Sequence, residues 1–122
     1  MPIHLYINAM VNYIDTTLAA LADPKRRQVI DLLCGGPRRA GELAARAKLS
    51  GPAMSRHLRV LRASGLVEAQ GVEHDARLRL YQLRREPFAA LQAWLGQMEA
   101  FWAEQLGAFK THAEQTRKGR RR

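Results

Sequence analysis

The chain has 122 residues, 47% of them hydrophobic and only 7% aromatic, with a formal charge of +9: enough for one domain with a modest core and not for two. Its apolar runs fall short of the roughly 18–20 residues that span a bilayer, and no charged n-region with apolar core and cleavage site opens it, so a cytoplasmic protein without a membrane partner is expected. The lone cysteine, Cys34, excludes an intramolecular disulfide and fits a reducing compartment, and the Ala- and Arg-rich usage has a bacterial look.

Leu5 to Leu21 is largely uncharged and carries Tyr6, Met10, Tyr13, Ile14, Thr17, Leu18 and Leu21 at helical spacing. Asp23-Pro24 starts a second helix, with the acid as N-cap and the proline at the first helical position. Val29, Ile30, Leu32 and Leu33 are its apolar positions, and Gly35-Gly36-Pro37 ends it. Ala40 to Ala47 is a short helix with Leu43 and Ala44 inward. Leu49-Ser50-Gly51-Pro52 is a turn in which Ser50 is a good N-cap, and a fourth helix runs from about Pro52 to Ser64, stopping at Gly65. Leu66–Val72 and Arg77–Leu83 alternate, are rich in β-formers and flank the polar Glu73-His74-Asp75-Ala76, which reads as a hairpin. A long helix from Pro87 to about His112 closes the chain.

Charge is segregated along these elements. The tail from Arg117 to Arg122 accounts for five of the nine excess positive charges. Between Pro37 and Ser64 seven basic residues (Arg38, Arg39, Arg46, Lys48, Arg56, Arg59, Arg62) face one acid, Glu42. From Glu86 to Glu114 the balance reverses, with four acids against Lys110. One element suits a polyanion and another suits something else.

A short helix, a turn containing glycine and a second helix form the helix-turn-helix layout. At about 100° per residue, Met54, Leu58, Leu61 and Gly65 share a narrow arc that must face a core, and Pro52, Ser55, Arg56, Arg59 and Ala63 lie opposite. That outward face is short, small and cationic, as the major groove, about 12 Å wide, requires. Arg56 and Arg59 can reach guanine edges or phosphates, Ser55 can donate to either, Arg62 adds charge, and Ser50 with the helix N-terminus offers amides to a phosphate. His57 projects near the edge of the buried arc, where a histidine bonded to backbone is as reasonable as a base reader. Arg77 and Arg79, two apart, share one face of the second strand, with Leu78 and Leu80 on the other. A cationic hairpin beside such a helix is a wing whose tip can enter the minor groove, although Glu73 and Asp75 oppose deep insertion. The order of elements is mainly α with a β-hairpin, α-α-α-α-β-β-α: a winged helix-turn-helix domain over residues 1–116, followed by a basic, flexible tail at 117–122 able to touch phosphates.

The runs Ala20-Leu21-Ala22-Asp23-Pro24-Lys25-Arg26-Arg27, Gly41-Glu42-Leu43-Ala44, Met54-Ser55-Arg56-His57-Leu58-Arg59-Val60-Leu61 and Gly65-Leu66-Val67 resemble the ArsR-type (ArsR/SmtB) winged helix regulators. Arg77-x-Arg79-x-Tyr81-x-Leu83 and Trp94-Leu95 with Phe101-Trp102 resemble a branch that generally lacks the metal-binding residues. The resemblance implies a dimeric repressor that binds inverted-repeat operators, often upstream of its own gene. Gly51-Pro52 stands where many relatives have polar residues, so base preference does not carry over. Where the family's thiolate metal site would lie, the chain has Arg38, Arg39 and Gly41, and near the site on the last helix only His112 and Glu114 occur. No metal and no cofactor are expected, and no pattern identifies an inducing ligand. Cys34 is expected to be a small buried filler.

On the last helix Phe88, Leu91, Leu95, Met98, Trp102, Leu106 and Phe109 form one stripe, which Trp94 and Phe101 widen beyond the ~100° that packing on its own domain requires. With Leu18 on the first helix, these residues are the expected homodimer interface. No nucleophile–base motif, phosphate loop or carboxylate pair points to an enzyme. The expected function is sequence-specific binding of double-stranded DNA as a transcriptional regulator. A winged-helix protein-interaction module and a non-specific architectural DNA-binding protein are the alternatives.

Overall fold

The computed structural model describes residues 13–71 and 74–120. Contacts divide the chain into two compact units, residues 1–90 and 91–122. In the first unit α1 is helical over 13–21; the earlier part of the expected first helix, with Tyr6 and Met10, lies outside the described residues. It buries Ile14, Thr17 and Ala20 and leaves Tyr13 and Leu18 exposed. The Thr17 hydroxyl donates to the Tyr13 carbonyl at 3.0 Å, so its burial leaves no orphan donor.

α2 (Pro24–Leu33) begins as its cap requires: the Asp23 carboxylate accepts from the Lys25 and Arg26 amides at 2.8 and 3.1 Å. Val29, Ile30 and Leu33 are buried. Cys34, expected as buried filler, is exposed. It is the C-cap, one step past the last inward position, and its role is to close the helix by donating its amide to the Ile30 and Asp31 carbonyls at 3.0 and 3.2 Å.

α3 (Ala40–Ala47) buries Leu43, Ala44 and Ala47. Lys48 then takes a left-handed conformation, φ 57° and ψ 47°, and the Leu49 amide returns to the Ala44 carbonyl at 2.9 Å. This tight turn hands the chain to Ser50, whose hydroxyl accepts from the Ala53 amide at 3.2 Å and caps α4 (Gly51–Ala63). Gly65, at φ +76°, ends that helix in a region where a Cβ costs about 1 kcal/mol.

The hairpin is shorter than its alternation suggests. β1 (Val67–Gln70) and β2 (Leu80–Leu83) pair antiparallel, with Val67 opposite Leu83 and Ala69 opposite Tyr81. Ala76–Leu78 is a 3-10 turn, so Arg77 does not share a strand face with Arg79. Two local causes end the ladder. Gly71 sits at φ +146°, with the Leu78 carbonyl oxygen and the Arg79 Cα each 2.9 Å from where a Cβ would stand. Asp75 then accepts from the Arg77 amide at 3.0 Å, a side-chain turn that competes with strand pairing. A third chain segment joins the sheet unannounced by the sequence: Arg38 and Tyr81 exchange backbone hydrogen bonds of 3.0 and 2.8 Å. Val29, Leu33, Leu43, Met54, Leu58, Leu61, Leu66 and Tyr81 form the core, with Phe88 packed at its edge. Each fully buried aliphatic contributes about 1.5–3 kcal/mol, so this one cluster fixes α4 and the sheet against α2 and α3.

α5 (Arg85–Arg120) is the last element. The helix was expected to end near His112 and the tail to loosen at Arg117; instead it is helical through Arg120, and 121–122 lie outside the described residues. From Thr111 onward Ala, Glu, Gln, Lys and Arg favour helix, no proline intervenes, and basic residues suit a helix C-terminus. Within the second unit no described side chain is buried: Trp94, Leu95, Met98, Phe101, Trp102, Leu106 and Phe109 are all exposed, Phe109 at 71%. Leu91 is half-buried. Among the described residues no helix is long and apolar enough to cross a membrane.

Candidate nucleic-acid interface

The core dictates which way α4 faces. Met54, Leu58 and Leu61 are buried, which turns Pro52, Ser55, Arg56, Arg59, Arg62 and Ala63 outward, all of them exposed. Ser50 is exposed too, with its hydroxyl occupied as the cap of α4. His57 is half-buried and within electrostatic reach of Asp23 at the head of α2. The Arg26 amide first, opposed by partial desolvation, and then the Lys25 amide, His57 and the Arg26 side chain hold the Asp23 carboxyl below the ordinary carboxylate range. His57 thus stands at the α2–α4 boundary, off the centre of the exposed face.

Basic residues fall into two sets once their partners are known. Lys25 donates to the Ala47 carbonyl at 2.8 Å, Arg26 to Ala20 at 2.6 Å, and Arg27 to Leu21 and Ala22 at 2.7 and 3.1 Å. Arg38 binds the Leu32 carbonyl at 2.9 Å and Glu42 at 2.6 Å, and Arg46 reaches the same Glu42 at 3.5 Å. These cations belong to the scaffold: all but Arg46, which pairs with Glu42, satisfy carbonyls at the C-terminal ends of α1, α2 and α3. Arg39, Lys48, Arg56, Arg59, Arg62 and Arg79, in contrast, have no hydrogen-bond or ion-pair partner among the described residues.

The free set has a shape. Arg59 and Arg62 from α4 and Arg79 from the hairpin line a groove of about 700 Å³ whose floor includes Leu58, Val67 and Tyr81. The structure therefore brings Ser50, Pro52, Ser55, Arg56, Arg59, Arg62 and Arg79 onto α4 and the groove beside it. Arg77 does not line that groove: its side chain is tied to Asp75 at 3.3 Å and lines a second hollow, which also includes Ser55 of α4. Arg39 and Lys48 were missed as surface cations of this region; their one signal in the sequence was a local excess of base over acid. Among the described residues no group of three or more His, Cys, Asp or Glu side chains converges as a metal site would need.

Three stacked helices, a tight turn into a cationic fourth helix and a hairpin beside it define a winged helix-turn-helix protein. A model of the family described as "Bacterial regulatory protein, arsR family" matches residues 23–69, from the cap of α2 into β1. The chain is 36% identical over 97 residues to the HTH-type transcriptional regulator Rv2034 of Mycobacterium tuberculosis, covering 78% of this chain and 83% of that protein. It is 40% identical over 48 residues to the transcriptional repressor SdpR of Bacillus subtilis, 39% of this chain and 53% of that one. Among solved structures, the homodimeric winged helix-turn-helix DNA-binding domain of Mb0332 from Mycobacterium bovis superposes with a TM-score of 0.60 at 26% identity, over 80% of this chain and 88% of that one. The chain belongs to the arsR family of bacterial regulatory proteins and is a DNA-binding transcriptional regulator.

Proposed function

We propose that this regulator is a homodimeric repressor acting in the cytoplasm on an inverted-repeat operator in double-stranded DNA. α4 lies in the major groove, with Arg56 and Arg59 toward base edges and Ser55 on the same outward face. Arg62 and Arg79 bind backbone phosphates, and Ser50 and Pro52 bring the head of α4 close to the strand. The observation that carries this reading is a partition of cations within the helix-turn-helix: Lys25, Arg26, Arg27, Arg38 and Arg46 are engaged by carbonyls and carboxylates, whereas Arg56, Arg59 and Arg62 on α4 and Arg79 beside it are left for a polyanion. The repressor SdpR and the homodimeric Mb0332 domain, as those proteins are named, support the finer parts of it.

Dimerisation rests on α5. Leu91, Trp94, Leu95, Met98, Phe101, Trp102, Leu106 and Phe109 present more apolar surface than a monomer keeps in water, and Leu18 on α1 is likewise exposed. No metal or cofactor enters the scheme.

One experiment tests both halves: footprinting on DNA upstream of the protein's own gene, with the wild type and with Trp102→Glu/Leu106→Glu, alongside sedimentation. The wild type should protect a discrete inverted repeat as a dimer, and the double variant should lose both the footprint and the dimer. Uniform protection would make it an architectural protein, no protection an interaction module. A variant that still sediments as a dimer would remove α5 from the interface.

A further inference from the structure

Apart from the groove beside α4, a second hollow of about 410 Å³ lies where three elements meet, and it is lined by Arg39, Ala40, Gly41, Glu42, Ser55 and Arg77. Its walls are short where α3 contributes Ala40 and Gly41, so a group of moderate size can approach the backbone there. Of its charged side chains, Arg77 and Glu42 are held by partners. Arg77 donates through both its amide and its Nε to one Asp75 oxygen, at 3.0 and 3.3 Å, while the side chain stays 90% exposed. Arg39 precedes α3 directly, and its neighbour Arg38 is stitched to β2 at Tyr81, so the guanidinium stands on rigid backbone. It has no partner among the described residues.

Glu42 is the carboxylate of this hollow, and it does not serve Arg39. Arg38 at 2.6 Å and Arg46 at 3.5 Å already flank it. Arg77 is paired with Asp75, and Glu42 with Arg38 and Arg46, so the unpaired Arg39 guanidinium, the remaining donors of the exposed Arg77 and the Ser55 hydroxyl are what this hollow offers, a set that fits a compact anion rich in acceptors. Ser55 ties the hollow to the outward face of α4.

We infer that Arg39, Ser55 and Arg77 together seat one phosphate of the DNA backbone. Arg77 then acts as a phosphate contact aimed by Asp75, and the wing clamps the strand against α3 instead of reading the minor groove with that arginine. This inference rests on the operator-binding reading above.

The test is a set of titrations of wild type, Arg39→Ala and Arg77→Ala on operator and on random DNA across a salt series. They are repeated on operators carrying a single neutral methylphosphonate at each backbone position in turn. Each alanine variant should weaken both DNAs by the same factor, about threefold to tenfold, and flatten the log–log salt slope by about one. Neutralising one and the same phosphate should abolish the difference of both variants from wild type. A silent Arg39→Ala, a loss by Arg77→Ala confined to the operator, or two different phosphates for the two arginines would each overturn it. Both substitutions are at exposed side chains, and unchanged thermal melts confirm that folding is not what is read. A wild type that protects no operator refutes the functional reading, whereas a normal footprint with a silent Arg39→Ala refutes the phosphate seat alone.

Discussion

Lys25-Arg26-Arg27 at the head of α2 and Arg56, Arg59 and Arg62 along α4 carry the same charge, but the first set is bonded within the fold and the second has no partner among the described residues. A helix N-terminus disfavours cations, so three of them in the first turn of α2 need partners elsewhere. They find them in the carbonyls that end α1 and α3: Ala20, Leu21, Ala22 and Ala47. The basic run at α2 is thereby a clamp that holds two helix ends to a third. On α4 the same residue types lie past the last carbonyl within reach and remain free. Local density of positive charge cannot separate a fastener from a binding surface. Only the position of orphan carbonyls does.

The largest effect that sharpens this contrast is expected from Arg26→Ala. It removes two hydrogen bonds to the end of α1 and should cost about 2–3 kcal/mol in urea unfolding, with DNA affinity per folded molecule unchanged. A variant that unfolds like wild type and fails to bind DNA would break the distinction. Arg59→Ala should do the converse: stability within about 0.5 kcal/mol of wild type, and a loss of about 1–3 kcal/mol on the operator with much less on random DNA. An equal loss on both DNAs would demote Arg59 to a phosphate contact. The smallest effect belongs to Asp23→Ala, which uncaps the turn that sets Lys25 and Arg26 in place. The folded state favours ionised Asp23, so its stabilisation is complete above the ordinary carboxylate pKa of about 3.9 and fades as pH falls through the lowered folded value. Thermal melts should therefore show the variant below wild type at neutral pH, with the gap narrowing below about pH 4.

Elements set by local chemistry are legible in the sequence. Asp23-Pro24 and Ser50 fixed two helix starts, Gly65 fixed a stop, and the inward arc of Met54, Leu58 and Leu61 fixed the facing of α4. Sequence and structure part where a constraint that periodicity and residue type do not display takes over. Alternation carried the hairpin through Arg77, but the close approach at Gly71 and the Asp75 turn end it sooner. Cys34 has the residue type of a core filler and the position of a cap. The Arg38–Tyr81 pairing has no periodicity to betray it, being one residue long. Of the candidate interface, the outward face of α4 could be read by rotation alone, while the division between engaged and free arginines needed carbonyl positions that no sequence displays. α5 runs past His112 because no proline or glycine interrupts the helix formers between His112 and Lys118.

The short bridge between Arg38 and Tyr81 also bears on the order in which the molecule can form. A hairpin of two four-residue strands is marginal in water by itself, and β2 gains its second neighbour only from a segment that precedes α3. All of α3 and α4 lies in the loop which that pairing closes, and the entropy of closing it falls once those helices have already brought its ends together. The wing is therefore expected to order last, and a peptide of Leu66 to Leu83, which has both strands but not the Arg38 bridge, is expected to stay unpaired in water.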